Sequence, residues 1–398
     1  MKVLIADRLS PETVTSLQEL GIEVANHPEF SADDLPQHAR DANVIVVRST
    51  KVTTATIEAA EGLSLIVRAG AGVNTIDVAT ASACGVYVAN CPGKNADAVA
   101  ELAIGLLIAA DRRIAFAWKD LQQGDWKKKA YGASRGLKGR TLGIMGLGAI
   151  GERVAQRAQG LQMNVLAWSR SLTPERAQAM GFQYAESPLD VARNSDAVSL
   201  HTAYNPELKH FIGAEFFSAM RDGAIFVNTA RGELVDTAAL KAAISEKQLR
   251  VGLDAYENEP TGADGPNFVD TDLVSMVTGT PHIGASTDQA SEAIAAEVVR
   301  IIRVFRESGR PPGAVNLCQR SPATHALVVR HLNRVGVLAG VLDHLRAADV
   351  NVEEMENTIF DGASAACCTL LLDQAPSDQA LSKIRESKSV LQVTLNER

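Results

Sequence analysis

The stretch TLGIMGLGAIGERVAQRAQGLQMNVLAWSR, residues 141–170, decides the fold of this chain. Its first part, residues 142–145, is a short apolar run of the kind that forms a buried strand. A glycine-rich turn follows, after which apolar residues recur at helical spacing on one face. A second apolar strand is predicted at residues 163–168. This order of strand, turn, helix and strand predicts a dinucleotide-binding unit.

The turn, GLGAIG, has the spacing GxGxxG. Gly146 permits a tight turn, Gly148 lets the backbone approach a pyrophosphate, and Gly151 lets the helix pack closely on the strand. The phosphates are expected at the helix N-terminus, at Ala149 and Ile150, where unpaired N–H groups and the helix dipole favour an anion. The alternative is a glycine-rich turn without a ligand, and the flanking strands and helix favour the nucleotide.

The end of the second strand departs from the usual NAD pattern. NAD sites carry an acidic residue there, which bonds the ribose 2′-hydroxyl and repels a 2′-phosphate. This chain has Ser169 followed by Arg170, and a hydroxyl with a guanidinium can accept the phosphate of NADP. Alternatively, Arg170 stacks over the adenine or faces solvent. NAD is the expected cofactor, and NADP stays open.

Length and composition bound the class of protein. The chain has 398 residues, 46% of them hydrophobic and 22% charged, which is enough for two or three globular domains. A formal net charge of -8 without a basic block argues against a nucleic-acid partner. No apolar stretch is long enough to span a membrane and the chain starts as a strand, so we expect a cytoplasmic protein. The five cysteines lack metal-ligand spacing, so we expect no metal site.

Residues 1–94 alternate short strands with helices, which predicts a mostly parallel sheet covered by helices. Two arginines end predicted strands, Arg48 in VVRST and Arg68 in VRAGAGVN, the latter followed by Gly70. Ligands of open α/β sheets bind at the carboxyl ends of the strands. The two arginines therefore predict an anion site, with solvated surface charges as the alternative.

Residues 95–122 are predicted to form one long helix that is apolar nearly all round and buried in the domain or in a subunit interface. Three further strands follow the glycine turn, and each ends in polar residues. These residues are His201 and Thr202, then Thr229 to Arg231, and Asp254. They are expected along the carboxyl edge of a doubly wound sheet, where the dinucleotide would lie.

The motifs VRAGAGVN, GLGAIG, NTARGELVD, LDAYENEP and TPHIGAST resemble those of the D-isomer-specific 2-hydroxyacid dehydrogenases, with coverage nearly complete to residue 316. The resemblance implies an α/β fold with two Rossmann-like, doubly wound parallel-sheet domains. The substrate-binding domain would comprise residues 1–94 and a return segment, residues 285–316. The NAD(P)-binding domain would comprise residues 95–284.

The resemblance also implies the catalytic residues. Arg231 would hold the substrate carboxylate and C2 oxygen, because a planar guanidinium can bind both at once. His282 would accept the C2 hydroxyl proton as hydride leaves for the nicotinamide, and Glu259 would stabilise the cationic imidazole. Further matched positions are expected at the cofactor (His201, Thr202, Thr229, Ala230, Arg231, Asp254, His282 and Gly284) and at the substrate (Arg48, Arg68, Gly70, Arg231 and His282).

The expected reaction is oxidation of 3-phospho-D-glycerate to 3-phosphohydroxypyruvate, the first step of L-serine biosynthesis. A first alternative keeps the chemistry but changes the acid to glyoxylate, hydroxypyruvate or lactate. The two arginines, Arg48 and Arg68, favour the phosphorylated acid. A second alternative is a nucleotide-sensing corepressor, against which the acidic composition and the tail argue.

The tail, residues 323–398, follows a linker rich in proline and glycine and has the pattern βαββαβ of a ferredoxin-like domain. Its segment HLNRVGVLAGVL resembles the opening of an ACT domain, an amino-acid-sensing module, although Val335 replaces a frequent proline. The resemblance implies that His331, Asn333 and Asn351 bind L-serine at the interface of two such domains. A homo-oligomer, dimer or tetramer, is therefore expected.

Overall fold

The computed structural model describes residues 1–260, 268–318 and 320–398. The chain forms two compact units, Met1–Asn316 and Leu317–Arg398. No helix of the described residues is long and apolar enough to cross a membrane.

The first part of the larger unit is a five-stranded parallel sheet. Its strands are β1 (Lys2–Ile5), β2 (Glu23–Asn26), β3 (Val44–Val47), β4 (Leu65–Arg68) and β5 (Tyr87–Asn90). Its helices are α1 (Pro11–Glu19), α2 (Leu35–His38), α3 (Thr54–Ala59) and α4 (Val78–Ala83). The strand order is β2-β1-β3-β4-β5, and β3 is buried throughout because helices cover both faces of the sheet.

The second part is a seven-stranded parallel sheet with its helices. The strands are β6 (Thr141–Met145), β7 (Asn164–Trp168), β8 (Gln183–Tyr184), β9 (Ala197–Leu200), β10 (Ile225–Asn228), β11 (Arg250–Leu253) and β12 (Thr278–Gly279). The helices are α5 (Ala96–Arg112), α6 (Ile114–Gln122), α7 (Lys128–Tyr131), α8 (Ala149–Gly160), α9 (Pro174–Ala179), α10 (Pro188–Asn194), α11 (Ala214–Ala219), α12 (Thr237–Lys247) and α13 (Thr271–Val274). A last helix of the larger unit, α14 (Asp288–Ser308), follows β12.

The order of the second sheet is β12-β11-β10-β9-β6-β7-β8. Because β6 lies between β7 and β9, the winding reverses there, and the carboxyl ends of β6 and β9 form the crevice in which such sheets bind ligands. This doubly wound order confirms the predicted fold class. Helix α14 returns to the first sheet, where Ile294, Val298 and Ile302 pack with Val3 and Ile5.

The prediction of one long helix over residues 95–122 was wrong. The chain breaks at Arg113, which has the left-handed φ of 52°, and α6 starts a new direction. The guanidinium of Arg113 lies 5.1 Å from the ring centre of Tyr131, a contact that stabilises the break. Helix α5 is largely buried as predicted, but α6 has no buried residue, and Trp118 is 62% exposed.

The smaller unit is a four-stranded antiparallel sheet with two helices. Its elements are β13 (His325–Leu332), α15 (Val337–Ala347), β14 (Val352–Ile359), β15 (Ala365–Leu372), α16 (Asp378–Glu386) and β16 (Val390–Glu397). The strand order is β14-β15-β13-β16, which confirms the predicted ferredoxin-like βαββαβ pattern. Alternate residues of β15, including Cys368 and Leu370, are buried under the helices.

Candidate active site

The glycine turn between β6 and α8 has two positions that exclude any side chain. Gly146 has a φ of +96°, and a Cβ there would lie 2.8 Å from the backbone of His201 and Thr202. A Cβ at Gly151 would lie 2.1 Å from the carbonyl oxygen of Gly146. Gly148 differs, because no atom lies within 4 Å of its Cβ position. The turn is therefore packed on its inner side and open above the N-terminus of α8.

The residues around this opening fit a dinucleotide. Helix α8 starts at Ala149, so the N–H groups of its first turn face an open space suited to a pyrophosphate. Thr229 Oγ1 and His201 Nδ1 are buried polar atoms without a hydrogen-bond partner among the described residues. Burial lowers the pKa of His201 far below its usual value, so its imidazole is neutral, and Ser199 Oγ lies 2.8 Å from its Nε2. A cofactor bound in the opening above the N-terminus of α8 would supply hydrogen-bond partners to these unpaired polar atoms.

The positions predicted to select the cofactor lie directly after β7. Ser169 is half-buried and Arg170 is exposed. The guanidinium of Arg170 makes no hydrogen bond or ion pair within the described ranges, so it is free to meet a 2′-phosphate or to stay in solvent. The choice between NAD and NADP stays a prediction.

Arg231 lies in a turn after β10 that the sequence NTARG fixes from both sides. The buried side chain of Asn228 accepts from Ala230 N at 2.9 Å and donates to Arg231 O at 3.0 Å. Gly232 must lack a side chain, because its Cβ would lie 1.9 Å from the backbone of Tyr256. The turn directs Arg231 towards the loop after β4, where its Nη2 lies 3.3 Å from the Cβ position of Gly72. The carboxyl edges of the two sheets thus meet at Arg231.

Arg68 and Arg48 also lie at the edge where the two sheets meet, near Arg231. Arg68 Nε donates to Arg48 O at 3.1 Å, and the Arg68 guanidinium folds over Gly70, where a Cβ would collide with it at 1.8 Å. Burial, and then the positive charges of Arg231 and Arg48, lower the pKa of Arg68. Three neighbouring guanidinium groups form a site that an anion stabilises.

His282 and Glu259, which are predicted to act as an acid–base pair, lie within hydrogen-bonding distance. His282 Nδ1 lies 2.7 Å from Glu259 Oε2, and Glu259 Oε1 accepts from Tyr256 N at 3.0 Å. The hydrogen bond to Glu259 raises the pKa of His282 and outweighs the opposing effect of burial. For Glu259, burial favours the neutral acid, but the bond to His282 and its charge leave the carboxyl pKa lowered. Glu259 therefore stabilises an imidazolium at His282.

The backbone of His282 is held in the uncommon left-handed region, with a φ of 53°. Asp254 is buried and holds this loop. Its Oδ1 accepts from Thr280 Oγ1 at 2.6 Å and from Ile283 N at 2.8 Å, and its Oδ2 accepts from Gly284 N at 2.8 Å. The sequence placed Asp254 beside the nicotinamide, and nothing in its pattern revealed this positioning of the His282 loop.

Two further residues were missed by the sequence reading. Asp7 accepts from three successive backbone N–H groups, those of Arg48 at 2.6 Å, Ser49 at 3.0 Å and Thr50 at 2.9 Å. Asn228 fixes the Arg231 turn as described above. An acidic residue two positions after a buried strand was the only signal for Asp7, and it pointed equally to a solvated loop.

In the smaller unit, the structure brings together only two of the three predicted effector residues. His331 is buried at the end of β13, with Nδ1 2.8 Å from Leu332 O and Nε2 3.1 Å from Asn357 Oδ1. Asn333 follows in the adjacent loop and donates to Ala363 O at 3.0 Å.

Asn351 lies at the opposite end of the same sheet. It precedes Val352, which pairs with Leu372, and Leu372 also pairs with His325 at the start of β13. His331 pairs with Ala366, which precedes Leu372 by six residues in β15, so about 20 Å separate the two ends at about 3.3 Å per residue. One tail therefore does not gather all three side chains into one pocket.

Comparison with known proteins agrees with this geometry. Residues 104–284 match the model of the NAD-binding domain of D-isomer-specific 2-hydroxyacid dehydrogenases. The chain is 38% identical over 310 residues to the D-3-phosphoglycerate dehydrogenase of Methanocaldococcus jannaschii, covering 76% of this chain and 58% of that protein. It is 39% identical over 313 residues to the hydroxypyruvate reductase of Thermotoga maritima, covering 77% of this chain and 98% of that protein.

Among solved structures, the NAD⁺-bound 3-phosphoglycerate dehydrogenase of Entamoeba histolytica superposes with a TM-score of 0.66 at 27% identity, over 80% of this chain and 99% of that one. This chain spans only 58–64% of the length of the two archaeal D-3-phosphoglycerate dehydrogenases that it matches. The near-complete coverage of the Thermotoga maritima enzyme, together with the dinucleotide cradle and the His282–Glu259 pair, establishes the relationship. The chain belongs to the D-isomer-specific 2-hydroxyacid dehydrogenases.

Proposed function

We propose that this protein oxidises 3-phospho-D-glycerate to 3-phosphohydroxypyruvate with NAD as cofactor. The observation that carries the proposal is the meeting of Arg231, Arg68 and Arg48 at the edge shared by the two sheets, next to an ion-paired His282. A substrate with a carboxylate and a phosphate supplies negative charge to such a cluster, and a 2-hydroxy acid supplies the proton for the imidazole.

The chain's own residues account for binding and for the proton. Arg231 binds the substrate carboxylate and C2 oxygen, because its fork can donate to two oxygens at once. Neutral His282 accepts the proton of the C2 hydroxyl, and the C2–H bond breaks as its electron pair leaves with the hydrogen. Bound NAD supplies the hydride acceptor at the nicotinamide. Glu259 stabilises the imidazolium that results, and in reduction the same proton returns to the oxygen.

The choice of acid is supported by charge. Glyoxylate and hydroxypyruvate carry one negative charge, which Arg231 alone can bind. Arg48 and Arg68 are left without an anion by those substrates, whereas a phosphate engages them. The similarity to the Thermotoga maritima hydroxypyruvate reductase over nearly its whole length keeps that activity as the second candidate.

The test is nicotinamide absorbance measured with a panel of 2-hydroxy acids and both cofactors. We expect the highest kcat/KM with 3-phospho-D-glycerate. His282→Ala is expected to lose most turnover, by about 10²–10⁴-fold for general-base catalysis, while NAD binding is unchanged. His38→Ala, which removes an exposed histidine on α2, is the matched control and should keep full activity. Near-normal turnover by His282→Ala would overturn the mechanism.

Arg231→Lys is expected to lose both substrate affinity and rate, because an ammonium cannot span the carboxylate and the C2 oxygen together. A change in KM alone would instead indicate that Arg231 only attracts the substrate.

We also propose that L-serine inhibits the enzyme through the tail and that the protein is a homo-oligomer. His331 and Asn333 lie at one end of the tail sheet and Asn351 at the other, so a site with all three needs two tails, each supplying opposite ends. Asparagine side chains offer both donors and acceptors, which suits the carboxylate, ammonium and hydroxyl of serine. Because binding free energies are linked, an effect of serine on cofactor or substrate affinity requires the reciprocal effect on serine affinity.

A further inference from the structure

A cavity of about 280 Å³ opens at the carboxyl edge of the first sheet. Its size is close to the lower end of small-molecule sites, about 300 Å³. The residues that line it are Arg8, Leu9, Ser10, Arg48, Ser291 and Ile294. The cavity is therefore lined by two guanidinium groups, two serine side chains and two aliphatic side chains.

The fold explains why these side chains converge. Strands β1 and β3 are parallel neighbours, so the residues that follow them, Arg8 and Arg48, lie side by side. The carboxylate of Asp7 fixes this arrangement, because it accepts from the backbone N–H groups of Arg48 at 2.6 Å and of the next two residues. Helix α14 brings Ser291 over the opening from its first turn.

The side chains that line the cavity carry positive charge. No acidic side chain lines it, and the nearby Asp7 accepts three backbone N–H groups through Oδ2. Neither the Arg8 nor the Arg48 guanidinium makes a hydrogen bond or an ion pair with any described residue. Two unpaired guanidinium groups in one concave site repel each other unless an anion lies between them. A phosphate, which accepts paired N–H donors from each, is the anion that such a pair binds best.

The position of Arg48 connects this cavity with the site already described. Its carbonyl accepts from Arg68 Nε at 3.1 Å, and Arg68 in turn lies close to Arg231. Arg48 thus separates the carboxylate end, at Arg231, from the cavity that contains Arg8. A three-carbon acid phosphorylated at C3 has its two anionic groups at opposite ends, as this arrangement requires.

We propose that Arg8 is a specificity-determining residue that binds the phosphate of the substrate together with Arg48, with the hydroxyl of Ser10 completing the site. The inference rests on the proposed function, because it assigns one end of the proposed substrate. Arg8 makes no contribution to the proton transfer at His282, so it acts on recognition of the phosphate and not on the chemistry at C2.

The experiment compares kcat/KM for 3-phospho-D-glycerate and D-glycerate, which share the C2 chemistry and differ in the phosphate. Arg8→Ala is expected to lower kcat/KM for the phosphorylated acid by about 10–100-fold, the usual worth of charge-assisted hydrogen bonds. For D-glycerate it should stay within about twofold of wild type. Arg40→Ala removes an exposed arginine elsewhere in the same part of the chain and should change neither value. Equal losses on both acids, or no loss on either, would overturn the role of Arg8.

A wild-type enzyme without activity on 3-phospho-D-glycerate would refute the proposed function separately. The anion site is then tested with hydroxypyruvate as substrate and inorganic phosphate as inhibitor. An inhibition constant for phosphate that rises about tenfold in Arg8→Ala supports the site, and the same inhibition constant in wild type and variant overturns it. Thermal unfolding of both variants, with midpoints equal to wild type, excludes loss of folded protein as the cause.

Discussion

Alanine substitutions at Gly151 and Gly148, in the turn between β6 and α8, are expected to have different effects. The first should lower stability and the second should weaken NAD binding. At Gly151 the new Cβ would lie 2.1 Å from the carbonyl oxygen of Gly146, whereas ordinary contact begins at 3.4 Å. The helix must therefore move by about 1 Å against a buried strand. Overpacking of this kind costs about 1–3 kcal/mol, and the upper end applies because the obstacle is backbone. The better helix propensity of alanine returns at most about 1 kcal/mol, so the net loss is about 2 kcal/mol.

At Gly148 the same methyl group meets no atom within 4 Å and the φ of −91° suits any residue. Its cost to stability is about 0.5–1 kcal/mol, from the poorer helix N-cap alone. The methyl would however stand where the pyrophosphate approaches the helix N–H groups. Losing one charge-assisted hydrogen bond there is worth about 1.5–3 kcal/mol, or about 10–100-fold in the Kd for NAD.

The assay is thermal unfolding together with titration of NAD. At about 2–4 °C per kcal/mol for a domain of this size, Gly151→Ala should lower Tm by about 4–8 °C. Gly160→Ala, at the exposed end of the same helix with no atom within 4 Å of its Cβ position, is the matched control and should keep or raise Tm. A Tm for Gly151→Ala within about 1 °C of wild type, or wild-type NAD affinity in Gly148→Ala, would refute the reasoning.

Further predictions concern acid–base chemistry, cofactor choice and regulation. Glu259→Gln removes the negative charge that helps raise the pKa of His282, so the rise of kcat/KM for oxidation with pH should move to lower pH; an unmoved pH profile would count against the pair. Ser169→Asp should favour NAD over NADP, because a carboxylate repels the 2′-phosphate; specificity constants for both cofactors measure this, and a wild-type preference for NAD above about a thousandfold would contradict it. L-serine should lower the rate of wild type, and Asn351→Ala should keep activity but lose this inhibition; calorimetry that detects no serine binding to wild type would reject the effector site.

The local pattern of the sequence was sufficient for the elements and for the class of fold. Buried parallel strands read as uninterrupted apolar runs. The return segment contains α14, which runs from Asp288 to Ser308 because Thr287 caps it and Gly309 ends it. The break at Arg113 was not predicted, because the surrounding residues are good helix formers. The contact that stabilises it comes from Tyr131, eighteen positions further along the chain.

The proposed catalytic residues came from the resemblance of their motifs to a known family, but their arrangement depends on contacts far apart in sequence. Asp254 illustrates the difference. Its position at a strand end was predicted from the sequence. The hydrogen bonds that it accepts from Thr280, Ile283 and Gly284 form only because the loop before α14 folds back onto it. The tail illustrates the same point. A motif match cannot tell which end of an antiparallel sheet a residue occupies, and Asn351 lies at the end opposite to His331.

The sequence by itself determined the parallel α/β class of the fold and the glycine turn, because strand burial, turn geometry and helix amphipathicity are set by residues close together in the chain. The proposed reactive side chains came from the resemblance of their motifs to a known family. Only the tertiary structure decided that Arg231 reaches Gly72 across the two sheets and that Arg8 and Arg48 share one cavity. These placements follow from the order of parallel strands and from long-range hydrogen bonds such as those of Asp7, which bring together residues about 40 to 160 positions apart.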